Sequence, residues 1–168
     1  MMKKILLSAA LLTLSACGFT PMHAPMAANG DLAFKNIQVD LVAPEKLTDD
    51  EGAFWVQQAL YDRLGTSGKA HILSIRPTFI RRGLGISAQD VATRYDMQVS
   101  LSYTLTDAKT GDVLDTGNVL ATSTFGAPVD PYGRASSEQT ATKNVASEAA
   151  DRLITRLAAY YANAEKTQ

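Results

Sequence analysis

Met97-Gln-Val-Ser-Leu-Ser-Tyr-Thr-Leu-Thr106 alternates without a break. Met97, Val99, Leu101, Tyr103 and Leu105 are apolar, and Gln98, Ser100, Ser102, Thr104 and Thr106 between them carry amides or hydroxyls. Successive strand side chains point to opposite faces, so this stretch is a strand with one buried face and one wet face. A wet face implies a sheet covered on one side only, which favours antiparallel pairing. The turn that follows, Asp107-Ala-Lys-Thr-Gly-Asp112, holds Gly111 free to take positive φ. It returns the chain into a partner strand running from Val113 to about Phe125.

Working outward, His71 to Ile80 sets Leu73, Ile75, Pro77 and Phe79 on one face and Ser74, Arg76 and Thr78 on the other. Pro77 cannot donate to a ladder, so this strand is an edge or carries a bulge. Arg81-Arg82-Gly83-Leu84-Gly85 and the residues to Asp90 read as a glycine-bearing connection with the two arginines at its tip. Upstream, Leu32 to Leu41 alternates loosely and suggests a first strand. Thr48-Asp49-Asp50-Glu51 has the T-x-x-E form of a capping box, its acids suited to a positive helix start. Ala53, Val56, Leu60 and Leu64 follow at helical spacing, which predicts a helix over 49–64 stopped by Gly65 and Gly68. Downstream, residues 126–135 read as a loop, and Ser136-x-x-Gln139 is the predicted cap of a last helix reaching about Ala164. Its apolar stripe is Ala141, Val145, Ala149, Leu153, Leu157 and Tyr160, widened by Ala146, Ala150 and Ile154. The expected fold is an α/β two-layer sandwich, order β-α-β-β-β-α. It has a mostly antiparallel four-stranded sheet with two helices packed on one face.

The N-terminus reads differently. Lys3 and Lys4 precede an apolar run from Ile5 to Leu14, and the small residues Ser15 and Ala16 follow. That is the three-part form of a secretory signal, and the run is too short for the about twenty residues a membrane-spanning helix needs. Leu14-Ser15-Ala16-Cys17 resembles the bacterial lipobox, whose cysteine receives a diacylglycerol before the peptide is cut in front of it. The competing reading is a plain signal followed by a chance cysteine. Cys17 is the only cysteine, so no disulfide within one chain is available, and a free thiol in an oxidising compartment is a liability that acylation removes. Anchoring by two or three acyl chains is effectively permanent, whereas one chain alone is marginal. Gly18 stands where the inner-membrane retention signal has an aspartate, which points to the outer membrane, facing the periplasm. The expected organisation is a cleaved signal peptide at 1–16, a lipidated tether at 17–30 and a single domain at 31–168. Without the two signal lysines the chain holds 14 basic against 17 acidic residues, a net charge of −3. That mild acidity argues against a broad nucleic-acid surface.

Chemistry of the hydrolytic or metal kind has little to stand on. His23 falls in the tether and His71 at a strand start, and an incidental or structural role suits each. No G-x-S-x-G elbow, H-E-x-x-H helix, phosphate loop or cysteine ligand set is present, so no metal or cofactor site is expected beyond the lipid on Cys17. Two features suit binding. Arg76, Arg81 and Arg82 gather positive charge on one strand and its tip, and a guanidinium fork matches phosphate. Solubility and edge protection explain the same residues. Lys35 and Arg94 join them only if their strands are neighbours. The second feature is the hydroxyl-rich face of Ser100, Ser102, Thr104, Thr106, Thr122 and Thr124, which suits either a protein partner or plain solvent.

Cys17-Gly18-Phe19-Thr20-Pro21-Met22 resembles the mature start of the lipopolysaccharide-assembly lipoproteins of the LptE family, in particular the alphaproteobacterial branch. The resemblance continues in Leu60-Tyr-Asp-Arg-Leu64, Ala92-Thr-Arg-Tyr-Asp96 and Tyr103-Thr-Leu-Thr-Asp107, then in Thr110-Gly111 and a final helix ending near Tyr160-Tyr161. His23 departs from it, standing where family members often have tyrosine. The resemblance implies a non-enzymatic plug inside the outer-membrane β-barrel LptD, forming the translocon that delivers lipopolysaccharide to the outer leaflet, with direct lipopolysaccharide binding. The family has no strict binding motif to carry over, so local physics nominates the residues. For the phosphates of the lipid head group these are Arg81 and Arg82, then Arg76 and Arg94. Two rival readings are a transport-accessory lipoprotein that binds phospholipid or a periplasmic transport complex, and a cell-wall hydrolase.

Overall fold

The computed structural model describes residues 36–42, 49–66, 68–86 and 92–164. The signal, Cys17, the tether, Lys35 and Thr48 of the expected capping box lie outside those residues. The elements are β1 (Ile37–Leu41), α1 (Asp50–Leu64), β2 (His71–Ile86), β3 (Ala92–Asp107), β4 (Val113–Gly126) and α2 (Pro131–Ala164). They form one four-stranded sheet in the order β1-β2-β3-β4. The order β-α-β-β-β-α is the one expected, and the sheet is mixed. β2, β3 and β4 run antiparallel, and β1 lies parallel to β2, a pairing that the crossover through α1 permits.

The alternation at 97–106 sorts the faces as its pattern requires. Met97, Val99, Leu101, Tyr103 and Leu105 are buried, with Leu73 and Ile75 of β2 and Val119 and Ala121 of β4 on the same side. Both helices cover that side. Val56, Leu60 and Leu64 of α1 and Val145, Leu153 and Leu157 of α2 complete a single core, each fully buried aliphatic contributing roughly 1.5–3 kcal/mol. The small residues of α2, Ala141, Ala146, Ala149 and Ala150, are all buried and let this helix lie close to the sheet and to α1. Arg63 ties the helices together, its Nε donating to Asp151 Oδ1 at 2.6 Å and its Nη2 to Ser147 Oγ at 3.0 Å.

The turn at 107–112 forms as its residues dictate. Asp107 Oδ1 accepts the amides of Lys109 and Thr110 at 2.8 and 3.0 Å, and Gly111 sits at φ 79°. Those two amides hold the Asp107 carboxyl below the usual carboxylate range. Just inside the turn, Leu105 opposes Asp115 while Thr106 opposes Val113, so Leu114 is the extra residue of a β-bulge.

Three expectations are corrected. First, Arg81 and Arg82 are not at a loop tip. β2 and β3 continue pairing to Ile86 opposite Ala92, and Arg81 and Arg82 face Met97 and Asp96 within the ladder. Second, α2 starts at Pro131, five residues before the expected cap at Ser136. Asp130 is its cap: its Oδ1 accepts Gly133 N at 2.6 Å and its backbone carbonyl accepts Arg134 N at 3.1 Å. Proline is preset for the first helical position, where its missing N–H costs nothing. Third, Asp49 does more than offset the helix dipole. It is 5% exposed, makes no side-chain capping bond, and its Oδ2 accepts Phe79 N at 3.1 Å.

That last bond explains Pro77. Phe79 N points away from β3 to Asp49, and Ile75 O points the same way to Val42 N at 2.9 Å. The period of two aims the nitrogen of Pro77 to that side as well, so no bond to β3 is lost. β1 has already ended there, its last partner being Ile75. β2 is interior in the sheet order but, among the described residues, is an edge from Pro77 onward, as a proline requires.

Candidate ligand and partner surface

The side of the sheet turned away from the helices is the candidate site, and pairing register alone assigns its residues. Running across β2, β3 and β4, its rows are Ser74–Thr104–Thr116, Arg76–Ser102–Asn118, Thr78–Ser100–Leu120, Ile80–Gln98–Thr122 and Arg82–Asp96–Thr124. The hydroxyl-bearing residues expected to share a face do so. No described element lies over them. Several are bonded to one another: Asn118 Nδ2 donates to Ser100 Oγ at 2.8 Å and Ser102 Oγ at 3.1 Å, and Thr124 Oγ1 donates to Asp96 Oδ1 at 2.6 Å. Asn118 and Thr116 escaped the sequence reading, although β4 carries them in the same period of two as Thr122 and Thr124. A shallow depression of about 580 Å³ lies on this face, bordered by Ser74, Arg76, Ser102, Thr104, Thr116 and Asn118.

The arginines divide. Arg76 borders the depression. Arg82 lies six residues along β2, roughly 20 Å away at strand rise. Arg94 faces Leu84 and is therefore a diagonal neighbour of Arg82, with Asp96 beside both. Arg82 and Arg94 form one exposed cationic pair at the far end of the face, and Arg76 stands apart from it. Arg81 is on the opposite side of the sheet. Its Nη1 reaches Glu138 Oε1 and Oε2 at 2.9 and 2.8 Å, and its guanidinium lies 5.5 Å from the Tyr95 ring centre. Tyr95 in turn stacks on Phe125 at 5.7 Å. Arg81 is thus a strut between β2 and α2. Among the described residues no three His, Cys, Asp or Glu side chains converge as a metal site needs, and no helix is long and apolar enough to cross a membrane.

Residues 34–157 match the family described as LptE, lipopolysaccharide-assembly. The match takes in every described strand and α2 as far as Leu157. The chain belongs to the LptE family. Among curated proteins, none matches it. A Caulobacter crescentus structure described as a lipoprotein superposes with a TM-score of 0.62 at 23% identity, covering 81% of this chain and 97% of the other. The rare lipoprotein B of Shewanella oneidensis gives 0.54 at 14% identity, covering 76% and 98%. An uncharacterised lipoprotein B of Nitrosomonas europaea gives 0.53 at 16%, covering 86% and 93%. At these identities the likeness is one of fold. LptE membership places the chain in lipopolysaccharide assembly, and its two-layer architecture is that of its structural neighbours.

Proposed function

We propose that the chain is a non-enzymatic outer-membrane lipoprotein, anchored on the periplasmic side by lipid at Cys17, that plugs an LptD-type β-barrel and takes part in delivering lipopolysaccharide. The observation that carries this reading is the open sheet face. A plug must meet the lumen of a barrel, which is polar because its lipid-facing residues alternate with inward ones. A broad surface of serine, threonine, asparagine and glutamine, with the exposed apolar side chains of Ile80, Leu84 and Leu120 among them, suits that lumen. A phospholipid carrier would need an apolar groove instead.

Lipopolysaccharide contact belongs to one end of that face. Arg82 and Arg94 are exposed diagonal neighbours, and two guanidinium forks suit a phosphorylated head group. Arg81 is withdrawn from the role by Glu138, and Arg76 lies too far along the strand to share one phosphate with the pair. Ile37, the first strand residue after the anchored segment, pairs with His71 at the opposite end of β2. The anchor therefore enters the domain roughly 36 Å from Arg82, eleven residues at strand rise.

Purification from detergent-solubilised envelopes tests the plug: an LptD-type barrel should copurify, and recovery of only soluble periplasmic proteins would sink the reading. For the ligand, Arg82→Ala with Arg94→Ala should weaken lipopolysaccharide binding in a salt-dependent way. Arg81→Ala should leave binding unchanged. Equal loss from Arg81→Ala would remove the pair from the account.

A further inference from the structure

β1 has five residues and β2 sixteen, so β1 covers only His71–Ile75 of its neighbour. Beyond Ile75 the outer edge of β2 has no strand beside it among the described residues. The orientation set by Ile75 O and Phe79 N turns the backbone groups of Arg81, Gly83 and Gly85 to that same outer edge. Proteins blunt unused edges with prolines, charged side chains, bulges or a covering element. Among the described residues such devices are Pro77 with the Asp49 cap at the start of the open stretch, the charged Arg81 and Arg82 within it, and Arg152 on the opposite edge of the sheet. Arg152 Nη1 donates to Leu120 O of β4 at 2.5 Å. From Ile80 to Ile86 the described residues supply no proline, no bulge and no cap.

We propose that the β2 edge from Ile80 to Ile86 docks one extended strand of another polypeptide. Outward N–H and C=O groups repeating every second residue, about 7 Å apart, are matched only by a second extended backbone. The side chains state what its sequence must be. On the open face a docked strand lies beside Ile80, Arg82 and Leu84, of which Ile80 and Leu84 are each 39% exposed. It therefore needs apolar, acidic and apolar residues at alternate positions. On the helix side Gly83 presents no side chain, which leaves room for an aromatic residue over it. Arg81 does not compete for the acid, because Glu138 already holds it. A second copy of this edge fits poorly, since Ile80–Ile86 contains no acidic residue to meet Arg82.

The site stands on the sheet edge and does not require the lipopolysaccharide reading, although Arg82 serves both. The test uses the full-length lipidated protein in detergent micelles and a fluorescein-labelled octapeptide, KVTEFVTK, read by fluorescence anisotropy. Saturable binding is expected, with the charge-reversed peptide KVTKFVTK about fivefold weaker, the scale of one cross-strand charge pair. Arg82→Glu should invert that preference. Gly83→Pro removes an outward donor without touching the β3 ladder, as Pro77 shows. It should weaken the peptide about tenfold while lipopolysaccharide binding and the melting temperature hold. If Gly83→Pro fails to fold, the Arg82→Glu inversion still decides. No saturable binding, or equal binding of both peptides to both charge forms, overturns the proposal. So does a dimer of the wild-type protein in micelles together with crosslinking of the Gly83→Cys variant to its mate, which would assign the edge to a second copy.

Discussion

Asp49 and Gly52 open α1, and each is fitted to Phe79 of β2 in a different way. The Asp49 carboxylate is nearly inaccessible and its Oδ2 accepts the Phe79 amide. Asp49→Ala would leave that amide without its acceptor, at a cost of about 1–3 kcal/mol in urea melts. Asp49→Asn keeps an acceptor oxygen and should lose clearly less; an equal loss would show that charge, not the bond, is what counts. Gly52 is buried because the Phe79 ring occupies the place of a side chain. A Cβ there would stand 2.4 Å from the ring's Cε2. Gly52→Ala should therefore cost about 1–3 kcal/mol by overpacking, and Phe79→Leu in the same chain should recover part of it. Neither role was legible in the sequence, where Asp49 read as an offset to the helix dipole. Its partner is thirty residues away, and a local pattern carries no information about such a bond.

Elements were legible wherever a period ran unbroken. The β3 alternation and the α1 stripe buried the residues their spacing named, and the α2 stripe did so from Ala141 to Leu157, with Ile154 and Tyr160 only half-buried. Boundaries failed where two local signals competed or the pattern thinned. For α2, Ser136-x-x-Gln139 and Asp130-Pro131 are both start signals, and the second prevails because Asp130 binds Gly133 N while proline fits the first turn. Gln139, released from capping, donates to Glu51 Oε1 at 3.1 Å and joins the two helices. For β2, Arg81, Arg82 and the glycines interrupt the apolar alternation, yet pairing with β3 does not need apolar side chains and continues to Ile86. The arginine pair was hidden for the same reason, since only the register of β2 against β3 sets Arg82 beside Arg94 and sends Arg81 to the other face. The first turns of α2 have a testable consequence. Residues 131–140 bury no side chain, and α2 becomes core only from Ala141. Asp130→Ala should cost about 0.5–2 kcal/mol. Hydrogen exchange should show amides 135–140 opening well before those of 145–157, and uniform protection along α2 would contradict this.

At the scale of the whole molecule, two phenols make folding sensitive to alkali. Tyr103 lies in the core under α2, its hydroxyl donating to Asp115 Oδ2 at 2.7 Å, and its pKa is pushed up to about 12 by burial first and by Asp115 next. Tyr161 sits near the end of α2 with its hydroxyl 2.9 Å from His71 Nδ1, and burial, then Tyr160, raises it to about 12 as well. A phenol in the unfolded chain releases its proton near pH 10, whereas these two keep theirs in the folded state. The folded state therefore binds more protons between pH 10 and 12, so stability is full below pH 10 and falls as pH rises through that window. Tyr103 ties β3 to β4 and Tyr161 ties α2 to β2, all within one core, so the loss should appear as one cooperative transition of the whole domain. Tyr103→Phe keeps the ring in the core but gives up the bond to Asp115, which should cost about 0.5–1.5 kcal/mol at pH 7. In the same variant the decline between pH 10 and 12 should become shallower, and Tyr161→Phe added to it should flatten the curve further. Urea melts taken from pH 7 to 11.5 measure both effects. A double variant that declines as steeply as the parent would mean that the alkaline transition starts elsewhere.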